Sequence, residues 1–265
     1  MVAVPLRHAS HVEHVMGTSI SIDVRDQVPG AVVDAAIAEA IAWLHDVDAT
    51  WSTYNSDSPI SRFGRGQLRV DDLPESMHEV LDLCDNFRVD TGGAFDIHVP
   101  APNGTRLETS GLVKGWSIER CASILEAHRL ENFCINAGGD IAMRGVPNNA
   151  DQWRIGIRHP DITDRLALHV ESHGGPLAVA TSATYERGQH IVDPRDGLPA
   201  HSGVCSVTII GPDLTFADVY ATALFVIGVE GATWLHDTHP DYGAYIIDDS
   251  RQSYSTPTFD RYRVN

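Results

Sequence analysis

Two residues four apart in the run ADVYATALF, Asp218 and Thr222, put a carboxylate and a hydroxyl on one face of a strongly helical stretch. Both are hard oxygen donors of the kind magnesium prefers. The same spacing also suits an ordinary helix start, with Asp218 complementing the macrodipole and Thr222 idle. Upstream, TSATYERGQHIVDPRDG (181–197) gathers small hydroxyl residues, a Glu-Arg pair, His190 and Asp193. Asp-Pro-x-x-Gly is a turn by its chemistry, since proline sets one dihedral and Gly197 permits a positive one. A histidine just before such a turn has the fixed backbone that a general base requires. A structural histidine beside an Asx turn would have the same signature. Gly92-Gly93 and Gly138-Gly139 are places where backbone N–H groups can cradle phosphate, or simply turns. Lys114, in SGLVKG at a helix start, can meet a phosphate beside the helix dipole or stand in solvent.

These residues need elements to hold them. Residues 12–25 alternate apolar and polar and predict a strand. Val33, Ile37, Ile41, Leu44 and Val47 predict an amphipathic helix over 31–48, and Met77, Val80, Leu81, Cys84 and Phe87 predict another over 74–90. A third runs from about Leu112 to His128. Short β segments follow at NFCIN, WRIGIRH, LALHVES, PLAVATS and VCSVTII; 215–238 returns to helix, and 243–257 closes as a strand pair. Helices and strands mix without βαβ alternation, so the expected class is α+β, in one domain over 1–265.

Composition narrows the function. With 19 basic against 36 acidic residues the formal charge is −17, a surface that repels nucleic acid phosphates and attracts divalent cations. The four scattered cysteines, Cys84, Cys121, Cys134 and Cys205, include no CxxC pair and are expected to be reduced core residues. His8, His11 and His14 recur every third residue, but in a coil running into strand, so no metal site is expected there. No apolar run approaches the roughly 18 residues of a membrane helix. The start, MVAVPLRHASHVEHV, lacks the profile of a secretory signal, which sets the expectation of a cytoplasmic protein.

Taken in order along the chain, eight segments resemble the ApbE family of FAD:protein FMN transferases: HVMGTSISIDV, WSTYNSDSPISRF, TGGAFD, SGLVKGWSIERCASIL, INAGGDIAMRG, WRIGIRHP, VATSATYERGQHIVDPRDGLP and SVTIIGPDLTFADVYATALFVIG. The resemblance implies an ApbE-like fold, a mixed or antiparallel sheet with packed helices in two intimately joined lobes. It implies that Met16 and Tyr54 line the flavin, that Ala94, Phe95 and Asp96 contact FAD through backbone and carboxylate, and that Lys114, Thr181 and Val192 contact the dinucleotide. Mg2+ would be held by Asp218, Thr222 and the Gly111 carbonyl, with His190 linked to catalysis. Glu108 stands where the family usually has Asp, and the segments after GAFD and before His190 are short. The implied reaction moves FMN from FAD to a Ser or Thr hydroxyl of an acceptor flavoprotein and releases AMP. FAD pyrophosphatase activity and non-catalytic FAD binding are the alternatives.

Overall fold

A computed structural model describes residues 8–102, 104–147, 151–162, 164–184 and 191–264. Its centre is an eight-stranded sheet in the order β1-β2-β5-β6-β9-β10-β11-β12, built from β1 (Ala9–Val15), β2 (Thr18–Val24), β5 (Phe133–Ala137), β6 (Asp140–Arg144), β9 (Leu177–Ala183), β10 (Val204–Gly211), β11 (Gly243–Asp248) and β12 (Ser253–Ser255). Every neighbouring pair in it is antiparallel. The stretch 12–25 is therefore a hairpin, not one strand. Met16 and Gly17 both take positive φ (57° and 70°), the conformation of a tight two-residue connection, and Val15 pairs with Thr18.

One face of the sheet carries the helices α1 (Gly30–Trp51), α2 (Pro59–Gly64), α3 (Glu75–Asp90), α4 (Ser110–Ala127), α5 (Leu214–Ile227) and α6 (Gly231–Thr238), while the short α7 (Pro257–Asp260) packs Phe259 on the other. The expected helix over 215–238 is two helices, because the chain breaks at Gly228 between α5 and α6. Alternate residues of the strands, such as Ile22, Ile135, Ala142, Ala180, Ile209 and Ile246, pack under α1, α4 and α5. Their neighbours, including Met143, Val179, Tyr245 and Ile247, pack on the opposite side with Trp153, Ile157, Leu168 and Phe259. Those last residues belong mainly to a smaller sheet, β13 (Arg263–Val264), β8 (Leu166–Glu171) and β7 (Arg154–Arg158). A strand covered on both faces has no polar side. That explains why β6, all of whose residues are buried, shows no alternation and escapes a reading by period. A short hairpin, β3 (His98–Ala101) with β4 (Gly104–Leu107), precedes α4. The result is α+β, and no helix among the described residues is long and apolar enough to cross a membrane.

Candidate active site

The chemistry-bearing residues meet where α4 and α5 pack against the edge of β6 and β9. α4 approaches α5 through its glycines. A methyl added at Gly115 would stand 2.6 Å from the Leu214 carbonyl oxygen and 2.9 Å from Asp218 Cβ, and one at Gly111 would stand 3.1 Å from Thr222 Oγ1. Glycine at these positions lets the helices come close enough for the Gly115 N–H to donate to Asp218 Oδ2 at 3.0 Å. Asp218 is one turn inside α5. The helix start is capped instead by Asp213, which accepts from the Thr215 N–H at 2.7 Å, so dipole complementation does not account for Asp218. Asp218 is only 3% exposed. Burial pushes its carboxyl up to about 7; the Lys114 ammonium pulls it down and the Asp140 carboxylate raises it further.

Lys114 Nζ pairs with Asp140 Oδ2 and lies 3.7 Å from Asp218 Oδ1, so the ammonium sits between two buried carboxylates. Its side chain is nevertheless 36% exposed, open to a ligand. Asp140 was not among the residues singled out from the sequence. It opens β6 directly after the Gly138-Gly139 turn, whose φ values of 62° and 107° close a hairpin on the Ala137–Asp140 pair. Its Oδ1 accepts the Thr181 N–H at 3.1 Å, which ties β9 into the same cluster. Thr181 Oγ1 bonds Thr208 Oγ1 at 3.0 Å, and Ser182 Oγ bonds Thr222 Oγ1 at 3.4 Å. Ser182 is the second neighbour that sequence reasoning missed. The available signal for Asp140 was its place after a glycine pair in INAGGDIAMRG.

Three of the four amides in the glycine pairs are engaged within the fold. The Gly139 N–H donates to Asn136 Oδ1 at 2.8 Å, and the Gly92 and Gly93 N–H groups close the end of α3 on Val89 and Arg88 carbonyls.

Most of the remaining expected residues have contacts of their own, apart from this cluster. Met16 touches Ser117 Oγ through its sulfur at 3.7 Å, and Ser117 Oγ in turn donates to the Lys114 carbonyl. Phe95 is buried with its ring edge against Gly111, and Ala94 is buried beside it, so neither side chain is free to meet a ligand. Asp96 accepts from the His98 N–H at 2.8 Å. Glu108 accepts from Ser110 Oγ and from Arg106 Nη1 at the entry to α4. Tyr54 follows α1 in a turn and is 99% exposed, touching solvent instead of the cluster. Val192 bridges Pro199 across the Asp-Pro turn. Within that turn Asp193 is held by Arg195, whose guanidinium lowers its carboxyl, so its carboxylate is already engaged. His190 lies outside the described residues. All four cysteines are free, and none is exposed.

The fold is α+β with helices on a sheet, and at its candidate site the partly exposed Lys114 lies between the buried carboxylates of Asp140 and Asp218. The ApbE family model matches residues 16–102 and 100–246, and the chain belongs to that family. It is 28% identical to the FAD:protein FMN transferase of Treponema pallidum, over 98% of this chain and 90% of that one. It is 24% identical to the Escherichia coli K12 protein of the same name, over 85% and 81%. Among solved structures, the ApbE protein of Thermotoga maritima superposes with a TM-score of 0.83 at 23% identity, covering 98% of this chain and all of that one. The flavin transferase ApbE of Vibrio cholerae gives 0.81 at 23%, covering 97% and 100%.

Proposed function

We propose that this enzyme transfers FMN from FAD to a Ser or Thr hydroxyl of an acceptor flavoprotein, with Mg2+, and releases AMP. The observation that carries the proposal is the cluster itself. In a chain whose family match spans nearly its whole length, Gly111, Lys114, Asp140, Asp218 and Thr222 converge from α4, α5 and β6.

The donors suit magnesium. Among the described residues no three His, Cys, Asp or Glu side chains form a ready cage. Magnesium rarely uses one; it takes one or two carboxylates and completes its shell with substrate phosphates and water. Asp218, Thr222 and the Gly111 carbonyl are the residues that would hold it. When bound, the ion neutralises charge that builds on the phosphates in the transition state.

The protein's own groups do the rest. Lys114, fixed by Asp140 and about a third exposed to solvent, supplies a cation to the pyrophosphate in a chain whose net charge of −17 would otherwise repel it. Met16, Tyr54 and the backbone at Ala94 and Phe95 bound the flavin, while Asp96, Glu108, Thr181 and Val192 orient the rest of the dinucleotide. His190 takes the proton from the acceptor hydroxyl. The hydroxyl oxygen forms a new bond to the FMN phosphorus, the P–O bond to the AMP phosphate breaks, and AMP leaves with that electron pair. Imidazole is the side chain whose ordinary chemistry suits proton transfer near neutral pH.

The test is incubation with FAD and Mg2+, with and without an acceptor flavoprotein, following AMP and flavin fluorescence on a denaturing gel. Acceptor-dependent AMP with a fluorescent band is expected, and His190→Ala is expected to abolish both. AMP with free FMN and no band would make the enzyme a pyrophosphatase. Tight FAD binding without AMP would leave only a carrier.

A further inference from the structure

The two helices at the site meet as a ladder. On α4, Gly111, Gly115 and Glu119 follow one another at intervals of four and share a face; on α5, Leu214, Asp218 and Thr222 do the same. The contacts match them in antiparallel order: Gly111 against Thr222, Gly115 against Asp218, and Glu119 against Leu214. Two rungs belong to the site described above. The third does not touch it. Glu119 Oε2 accepts the Leu214 N–H at 2.9 Å, at the first residue of α5. Its other oxygen pairs with Arg144, which also donates through Nε to Glu126 Oε1 at 2.8 Å and through Nη1 to the Met143 carbonyl at 3.1 Å. Both side chains are largely buried, at 14% and 9% exposure. Arg144 closes the same strand, β6, that Asp140 opens.

We infer that Glu119, anchored by Arg144, is a positioning residue that sets the register of α5 on α4 and so the placing of Asp218 and Thr222. This rests on the proposed function. A helix start leaves its first N–H groups without intrahelical partners, and a carboxylate there also answers the dipole. Asp213 serves Thr215 and Phe216, and Glu119 serves Leu214, so α5 is fixed to α4 from its first residue. Gly115 offers no side chain to stop α5 sliding. The stop comes one turn further along, where the largely buried Glu119 carboxylate holds the Leu214 N–H with one oxygen and Arg144 with the other.

The experiment measures Mn2+ binding to the FAD-free protein by electron paramagnetic resonance, together with kcat, KM for FAD and thermal unfolding. Removing a residue bonded directly to a metal ligand typically costs roughly 10- to 100-fold in metal affinity, and Glu119 acts one contact further out, through the helix start. Glu119→Ala is expected to weaken Mn2+ binding and kcat by about 10-fold, the low end of that range, while KM for FAD changes little. Glu119→Gln keeps an acceptor for the Leu214 N–H and is expected to recover most of the loss, which a variant damaged only in folding would not show. If Glu119→Ala does not fold, Arg144→Lys, which loosens the anchor of Glu119, carries the same comparison at smaller size. Mn2+ affinity equal to wild type in folded Glu119→Ala, or in Arg144→Lys where the alanine variant does not fold, would overturn the inference. Asp218→Asn separates the two ideas: if it too leaves Mn2+ binding intact, the proposed metal site fails and not merely its positioning.

Discussion

Gly115→Ala sets two physical effects against each other. By helix propensity alone, alanine in the interior of α4 should stabilise by about 0.5–1 kcal/mol. The new Cβ would stand 2.6 Å from the Leu214 carbonyl oxygen and 2.9 Å from Asp218 Cβ. Carbon contacts relax at about 3.5–4.0 Å, so α4 and α5 must part by roughly 0.6 Å or more. The nearest obstacle is backbone, which cannot swing aside as a side-chain tip would. Overpacking of this kind costs about 1–3 kcal/mol, which exceeds the propensity gain. The expected net loss is about 1 kcal/mol, or roughly 2–4 °C in Tm at this chain length. Activity should suffer more than stability. The hydrogen bond from the Gly115 N–H to Asp218 Oδ2 lengthens, and a misplacement approaching 1 Å in a reacting site can cost on the order of 100-fold. Thermal unfolding followed by circular dichroism, and AMP release with saturating FAD, measure the two. A variant more stable than wild type with unchanged turnover would refute the close approach as what shapes the site. Gly111→Ala is the internal control. Its nearest neighbour is the Thr222 hydroxyl at 3.1 Å, so a smaller loss is expected.

Asp140→Asn keeps the shape but removes the nearer of the two buried carboxylates that face Lys114. Breaking a buried pair costs about 3–5 kcal/mol, but the 36% exposure of Lys114 screens its charge, so about 1–3 kcal/mol is expected by urea unfolding, with a raised KM for FAD. The Asp218 carboxyl lies above its unfolded value, up to about 7, so its contribution to the metal-free fold is full below the unfolded value of 3.8 and is lost as pH rises through 7. A divalent cation relieves that loss. Mg2+ should therefore raise Tm more at pH 8 than at pH 6 and release protons on binding near pH 6, and Asp218→Asn should flatten both. Tyr54→Ala, at a side chain 99% exposed, should change stability by no more than about 0.5 kcal/mol. With Tyr54 in its proposed place on the flavin, the loss of that aromatic face should weaken FAD roughly 3- to 10-fold by fluorescence titration.

What the sequence determined by itself was whatever repeats locally. The 3.6-residue spacing of Val33, Ile37, Leu44 and Val47 predicted α1, which the structure extends to Gly30–Trp51. The four-residue interval between Asp218 and Thr222 was enough to place both on one face of a helix, and the order of eight motifs was enough to suggest the family. Tertiary structure decided what no local interval encodes. The Gly115 N–H and Asp218 meet across 103 residues, and Asp140 joins Lys114 only because a hairpin turn delivers the start of β6 to the side of α4. Asp140 looked like one more residue after a glycine pair, since a lone carboxylate carries no sign of the cation it will face. β6 itself was invisible to period because both of its faces are covered. Conversely, the alternation over 12–25 was real but ran through a turn, since a hairpin keeps the same period on either side of Met16-Gly17. Glycine at 111 and 115 reads in sequence as a weakness in a helix. In the fold it is the space that lets a second helix bring its carboxylate and hydroxyl to the site.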